Sequence, residues 1–212
     1  MVVPENVYSA AVDGELDVLR EYFASGDRDP NDTLERNGWT LLDGACFGKT
    51  EGTRGRRIIS CEVVSFLLSQ GAAVEYQDPG GTWHRPLVVA AASCSTNDEQ
   101  YRSEDWICAA LKLLIDAGAN VNAEPGLNAP GLNAPGFTAL MQAVVENSLL
   151  VMKFLLRHGA TLDSGLEARL ARAAVLAEQD PEGTASHGIE VEQQTVEDWC
   201  RLLMRLRVPS QA

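Results

Sequence analysis

The chain has 212 residues, of which 45% are hydrophobic and 22% charged, and a formal net charge of −13. This composition is typical of a folded protein with one large or two small domains. A surplus of acidic residues repels the phosphates of nucleic acids and of anionic membrane surfaces, so we expect neither as a partner.

Neither a membrane span nor a secretory signal is predicted. No apolar run approaches the ~18 residues that would span a bilayer, and the N-terminal sequence lacks a basic region followed by an apolar stretch. The five cysteines form no CxxC pair, and only three histidines could complete a metal site. We therefore expect an intracellular, cytoplasmic protein, with the nucleus left open, that has reduced thiols, no metal and no cofactor.

Four segments share one pattern, which is an apolar helix end, a glycine and a short extended piece. The glycines are Gly26, Gly71, Gly118 and Gly159, each at a position that suits a left-handed helix stop. An alanine-rich segment precedes each one: YSAAVDGEL, TLLDGACFG, RPLVVAAAS and TALMQAVVEN. Since small side chains let helices approach closely, the sequence predicts one antiparallel helix pair per repeat and an all-α fold.

These segments resemble ankyrin repeats, whose pattern is G-x-T-P-L-H-x-A-A, an outer helix and then G-A-D-V-N-A. The matching stretches are GWTLLDGAC (38–46), RPLVVAAA (85–92), GANVNA (118–123) and GFTALMQAV (136–144). The resemblance implies a solenoid of stacked helix pairs with finger loops. Its repeats would cover about 5–35, which acts as a cap, 36–79, 80–125 and 136–165. Asp43, Val88 and Met141 replace the motif's histidine, so the hydrogen bonds of that histidine must be replaced or absent.

The repeats are regular once insertions are removed. Successive helix-stop glycines are 45, 47 and 41 residues apart, and subtracting about 12, 14 and 8 extra residues leaves 33 in each case. Two long insertions fall between helices, at about 47–61 and 92–108. The third enters a finger loop and contains the sequence LNAPG twice, which predicts a surface loop of turns.

The two long insertions carry opposite charge. The first has four basic residues and one acidic residue, and the second has one basic residue and four acidic residues. One hypothesis is that they pair in an extra lobe, with Tyr101 and Trp106 packed beneath it. The alternative is two mobile loops without mutual contact, because exposed ion pairs are worth only ~0–1 kcal/mol each.

Residues 166–212 continue the helical pattern without the ankyrin motif. SGLEARLARAAVLAEQ and QTVEDWCRLLMRLRV each place apolar residues on one face, and the sequence DPEGTASHGIE between them is typical of a loop. We expect a C-terminal helix pair that caps the ankyrin domain of residues 1–165, because a bare solenoid end would expose core surface.

The stretch GACFGKTEGTRG, residues 44–55, raises a nucleotide-binding alternative through Gly48, Lys49 and Thr50. A phosphate loop needs a glycine at position 43, after a buried strand, and Asp43 stands there instead. The three histidines lie in different predicted elements, and no spacing suggests a catalytic set. We therefore expect no enzyme activity and no catalytic residue.

The ankyrin resemblance implies that partners bind across the finger tips and the inner-helix ends. Trp39 is expected to face outward as an interface anchor, with packing against the neighbouring finger as the equal alternative. Trp83 and His84 lie in a finger with extra residues, which makes their alignment less certain. The partner-binding residues carried over by position are Arg36, Asn37, Trp39, Trp83, His84 and Phe137 in the fingers and Phe47, Val145 and Glu146 at the helix ends.

Two functions follow from these features. The leading one is a monomeric, non-enzymatic scaffold that binds another protein, possibly a basic one, on the concave face of the solenoid. The alternative is an acidic inhibitor or immunity-type protein that occludes a basic enzyme or toxin, using charge to speed association. The first 35 residues hold nine acidic and two basic residues, which favours the alternative slightly.

Overall fold

The computed structural model describes residues 2–36, 38–51, 56–77, 83–93, 103–123, 138–146 and 148–161. The chain divides into two units, 1–160 and 161–212, and only Thr161 of the second unit is described. The predicted C-terminal helix pair, the LNAPG duplication and most of the second insertion lie outside the described residues.

Helices dominate the described part of the chain. Two antiparallel strand pairs, β1–β2 and β3–β4, add a small amount of sheet that the all-α prediction did not include. The mostly helical class agrees with an ankyrin-type fold. In chain order the elements are α1 (Glu5–Asp13), α2 (Leu16–Ala24), α3 (Leu41–Phe47), β1 (Lys49–Glu51), β2 (Arg56–Ile58), α4 (Cys61–Ser69), β3 (Tyr76–Gln77), β4 (Trp83–His84), α5 (Pro86–Ala92), α6 (Ser103–Asp116), α7 (Ala139–Val145) and α8 (Leu149–Arg157).

The helices of the first unit pack in two rows. Consecutive helices pair as α1–α2, α3–α4, α5–α6 and α7–α8. The first members also pack in sequence, α1 against α3, α3 against α5 and α5 against α7, and the second members form a parallel series. The core lies between the rows, where Leu41, Leu111 and Leu155 are fully buried.

Small residues set the spacing within the first row, as the alanine-rich pattern predicts. Ala45, Ala90 and Ala143 are fully buried. A Cβ atom at Gly44 would lie only 2.8 Å from Cε2 of Tyr8, so α1 and α3 approach as closely as they do because position 44 has no side chain.

The loops after the second-row helices are linked from one helix pair to the next. All four predicted helix-stop glycines have positive φ, which confirms their assignment. Asn31 Oδ1 accepts a hydrogen bond from Ala73 N at 2.8 Å, and Glu75 Oε1 accepts one from Asn120 N at 3.0 Å. Asn122 Nδ2 donates to Gly159 O at 3.0 Å. These bonds tie each helix pair to its neighbour independently of the core.

The first insertion forms a hairpin of strands β1 and β2. Lys49 pairs with Ile58, and the hairpin returns the chain to Ser60, whose hydroxyl accepts a hydrogen bond from Val63 N at the start of α4. Strand β2 packs against α6, which follows the second insertion. Trp106 on α6 is 58% exposed, so the prediction that it packs beneath a lobe was wrong.

Candidate partner-binding surface

His84 and Asp43 form a buried pair between neighbouring helix pairs. His84 Nδ1 lies 2.6 Å from Asp43 Oδ2, and both side chains are at most 3% exposed. Thr40 completes the group, since its hydroxyl donates to the same oxygen at 2.9 Å. Asp43 stands where the ankyrin motif has histidine, and a histidine of the next finger bonds to it. His84 was predicted to bind a partner, but its ring is 2% exposed and makes this internal bond instead.

Trp39 is also buried, at 7% exposure. Its ring packs edge-on against Phe47, with centroids 5.1 Å apart and an interplanar angle of 82°. The expectation that Trp39 faces outward was wrong, and internal packing is what the structure has. Trp39 precedes α3 and Phe47 ends it, so this ring contact joins the two ends of the helix.

Arg57 of the hairpin lies over the ring of Phe47, the second member of this aromatic pair. Its guanidinium carbon is 3.3 Å from the centroid of the Phe47 ring. Phe47 is half-buried, as is Glu146, which directly follows α7. Arg57 and Glu146 act on each other electrostatically. Arg57, which was not predicted as a site residue, therefore contacts one predicted site residue, Phe47, and lies within electrostatic range of another, Glu146.

Burial and charge oppose each other in this group. Burial raises the pKa of Glu146 to about 7, and the nearby Arg57 charge lowers it only in part. Burial likewise lowers the pKa of Arg57, with Glu146 acting against it. A carboxyl with this pKa changes charge near neutral pH, so small changes around Glu146 alter its ionised fraction.

Sequence reasoning missed Arg57 as a site residue for a structural reason. The sequence identifies Arg57 only as one of the basic residues of the first insertion. That insertion is predicted either to pair with the second insertion or to form a mobile loop. The strands are three residues long, too short for an alternation signal. The one available signal was the excess of arginine close to Phe47 at the end of α3. That signal does not fix the direction of the Arg57 side chain.

The remaining predicted residues are divided between exposed and undescribed positions. Arg36 is exposed, with Nη2 3.1 Å from Glu5 Oε1. Asn37 and Phe137 lie outside the described residues, as do the side chains of Trp83 and Val145. Among the predicted finger residues whose side chains the structure describes, Arg36 is the exposed one, whereas Trp39 and His84 are buried.

The nucleotide-binding alternative does not fit the local structure. Gly48 follows α3, and Lys49 and Thr50 begin β1, so a helix precedes the motif where a phosphate loop needs a strand. Lys49 Nζ lies 3.8 Å from Asp13 Oδ1.

The Cys46 thiol in α3 is a poor nucleophile. Burial, with the Asp43 charge adding to it, raises the pKa of this thiol well above its usual value.

The described residues contain neither a metal-type cluster nor a membrane-spanning helix. Within the part of the chain that the structure describes, no group of three or more His, Cys, Asp or Glu could hold a metal ion. None of the helices described there has the length and apolar character needed to cross a membrane.

Comparison with known proteins gives one family match. The family model named Ankyrin repeat matches residues 135–165, a segment that includes α7 and α8. No protein with a curated description matches the chain. The matched segment agrees with the helix-pair packing of the first unit, and it supports the assignment of this chain as an ankyrin-repeat protein.

Proposed function

We propose that the chain is a non-enzymatic binding module that holds a partner protein on a concave face formed by finger loops and first-row helices. The ankyrin match at 135–165 carries this proposal, because ankyrin repeats generally bind other proteins. The continuous packing of α1, α3, α5 and α7 supports it, since a row of helices offers one extended surface.

We also propose that it acts as a monomer inside the cell. Cys46, Cys61 and Cys108 form no disulfide in the described structure. Buried or half-buried thiols that stay reduced are typical of intracellular proteins.

A capture experiment with matched variants tests the binding function. Arg36→Glu with Phe137→Ala changes two predicted finger contacts. Arg20→Glu is the control, because Arg20 is also exposed and also pairs with a nearby carboxylate, Asp17 at 3.3 Å. A protein retained from native cell extract by the wild type and by the control, but lost from the double variant, supports the proposal. Equal capture by all three chains, or by none, contradicts it.

An acidic inhibitor is the second candidate, and the surface of the first helix pair favours it. The side chains of Glu5 and Asp17 are largely exposed on α1 and α2, in a chain of net charge −13. Such a surface would steer a basic enzyme or toxin toward this end of the molecule.

Salt dependence separates the two candidates once a partner is purified. For an inhibitor steered by charge, raising the salt from 50 to 500 mM, or changing Asp17 and Glu21 to lysine, should lower the association rate by on the order of tenfold or more. A rate that stays nearly constant under both changes favours the scaffold.

A further inference from the structure

Two cations on α8 have no partner within the described part of the chain. The other lysine and arginine side chains that the structure describes each lie against a carboxylate or an aromatic ring. The carboxylate pairs are Arg20–Asp17, Arg36–Glu5, Lys49–Asp13, Arg85–Glu75 and Lys112–Asp116, while Arg28 and Arg57 lie over the rings of Tyr22 and Phe47. Lys153 and Arg157 are exposed, and the side chain of neither makes such a contact with a described residue. The chain holds 30 acidic and 17 basic residues, so carboxylates are not scarce, and the two cations on α8 are set apart from them.

The exposed face of α8 is both cationic and apolar. Lys153 and Arg157 are four residues apart, which places them one turn apart on the same face, ~6 Å along the helix axis. Leu150, three residues before Lys153, lies on that face as well and is 40% exposed. No acidic residue occurs in α8, whereas α2, α4 and α6, the other helices of the second row, each contain more acidic than basic residues. Positive charge in the second row is therefore concentrated on α8.

An exposed tryptophan on the neighbouring helix extends this face. Helix α6 packs against α8, and Ala109 of α6 and Leu150 of α8 each lie nine residues before the helix-stop glycine of their repeat. Trp106 precedes Ala109 by one turn on the same side of α6 and is 58% exposed. Among the large apolar side chains described in the helices, Trp106 and Leu150 are the exposed ones. An aromatic and an aliphatic side chain thus lie beside two cations.

We propose that Trp106, Leu150, Lys153 and Arg157, named here the outer patch, bind a short acidic segment of a partner protein. Its carboxylates pair with Lys153 and Arg157, and an apolar side chain between them packs on Trp106 and Leu150. The charge of the patch selects this occupant. A large polyanion such as a nucleic acid or an anionic membrane meets the whole charge of −13, whereas a short segment meets mainly the charges within a screening length of ~8 Å.

The outer patch is separate from the surface proposed above for the main partner. It belongs to the second-row helices α6 and α8, whereas that surface belongs to the first-row helices and the finger loops. A protein bound at one surface leaves the other accessible. The chain can therefore join a partner on its concave face to an acidic segment on its outer helices, which is a function beyond the binding of one protein.

An NMR titration of the full chain at low salt with the peptide acetyl-LEELLEEL-amide tests the patch. The shifts should centre on the Trp106 indole and the amides of α8, and the lysine counterpart acetyl-LKKLLKKL-amide should not produce them. Lys153→Gln with Arg157→Gln removes both charges and should weaken binding roughly fivefold to tenfold, because two exposed ion pairs are lost. Arg20→Gln is the matched control and should bind as the wild type does, since Arg20 lies at the equivalent place in α2, six residues before its helix-stop glycine, and pairs with Asp17.

Two single variants separate the contributions of charge and apolar contact. Trp106→Ala should weaken peptide binding roughly fivefold, because an aromatic anchor is lost. Lys153→Gln alone should weaken it about threefold, and it keeps the Arg157 charge, which also complements the helix dipole in the last turn of α8. Circular dichroism checks that each variant is folded. Absence of peptide binding to the wild type, or equal affinity of the wild type and the double variant, overturns the proposal.

Two other occupants are distinguished by separate measurements on the same chains. Self-association in sedimentation velocity that Lys153→Gln with Arg157→Gln removes would assign the patch to a second copy of the chain. Retention on phosphatidylserine vesicles that the same variant removes would assign it to a membrane surface. Either result overturns the proposal of an acidic protein segment. No native partner is used, so a failure here is distinct from a failure of the proposed function.

Discussion

Three donor groups meet a single carboxylate oxygen at the start of α3. Thr40 N and Thr40 Oγ1 lie 3.1 and 2.9 Å from Asp43 Oδ2, and His84 Nδ1 lies 2.6 Å from it. A buried carboxylate is costly unless hydrogen bonds replace its water. Thr40 caps the helix. His84, which lies 41 positions after Asp43 in the chain, connects two helix pairs. Asp43, which departs from the ankyrin motif, is therefore hydrogen-bonded by His84 from a later part of the sequence.

His84→Ala should lower the free energy of unfolding by about 3 kcal/mol, because it removes one of the donors to a buried carboxylate. The matched control is His158→Ala, since His158 is exposed and stacks on Phe154 of α8, which ends one residue before it. Urea unfolding monitored by circular dichroism measures both values. Similar losses for the two variants would show that the His84–Asp43 pair has no special role.

Glu146 predicts a measurable pH dependence. Its pKa of about 7 in the folded chain lies above the ordinary value of 4.5, so the folded state keeps a proton that the unfolded state has lost. The stabilising contribution of the protonated group is complete below pH 4.5 and is lost as the pH rises through 7. Relative to the wild type, Glu146→Gln should gain roughly 2 kcal/mol of stability between pH 5 and pH 8.

Urea unfolding at the two pH values measures that gain. A stability difference that does not change with pH would contradict the raised pKa. Carbon-13 NMR of the side chain follows the same group directly. Because the Arg57 charge lowers the pKa of Glu146, Arg57→Ala should shift the titration to higher pH, and a shift to lower pH would contradict the assignment.

At the scale of elements, local signals predicted the helices, and long-range packing decided the rest. The helix-stop glycines and alanine-rich segments could be found because each depends on neighbouring residues. The hairpin could not be found, since its strands are short and one of them packs against α6. The burial of Trp39 depends on Phe47, eight positions away at the other end of α3, and no local pattern records that contact.

Gly44→Ala tests the close approach of α1 and α3. Alanine is the better helix former by about 1 kcal/mol, but its Cβ would lie 2.8 Å from Cε2 of Tyr8. We expect the clash to prevail and the variant to lose about 1–3 kcal/mol of stability, measured by urea unfolding. Tyr8→Leu removes the clashing ring atoms, so Gly44→Ala should cost less in that background. An unchanged cost in the double variant would place the strain elsewhere.

At the scale of the first unit, the hairpin adds an electrostatic interaction that simple helix stacking lacks. In a stack of repeats each unit touches only its neighbours, and stability is close to a sum of units and interfaces. Arg57 lies between α3 and α4, yet it interacts with Glu146 after α7, so the pair α5–α6 lies between the two in sequence. Strand β2 also packs on α6, so the hairpin is joined to the pair α5–α6 by packing and to Glu146 after α7 by charge.

This connection should make the opening of α7–α8 depend on the hairpin. In the wild type, we expect the amides of α7 and α8 to exchange with a free energy close to that of α3 and α4. Arg57→Ala removes the link, so the exchange free energy of α7–α8 should fall by about 1–2 kcal/mol more than that of α3–α4. Hydrogen exchange followed by mass spectrometry resolves the two regions. Lys49→Ala, which changes an exposed hairpin cation paired with Asp13, should leave both unchanged. If Arg57→Ala lowers the two regions equally, the hairpin stabilises only its own helix pair, and the stack follows the nearest-neighbour rule.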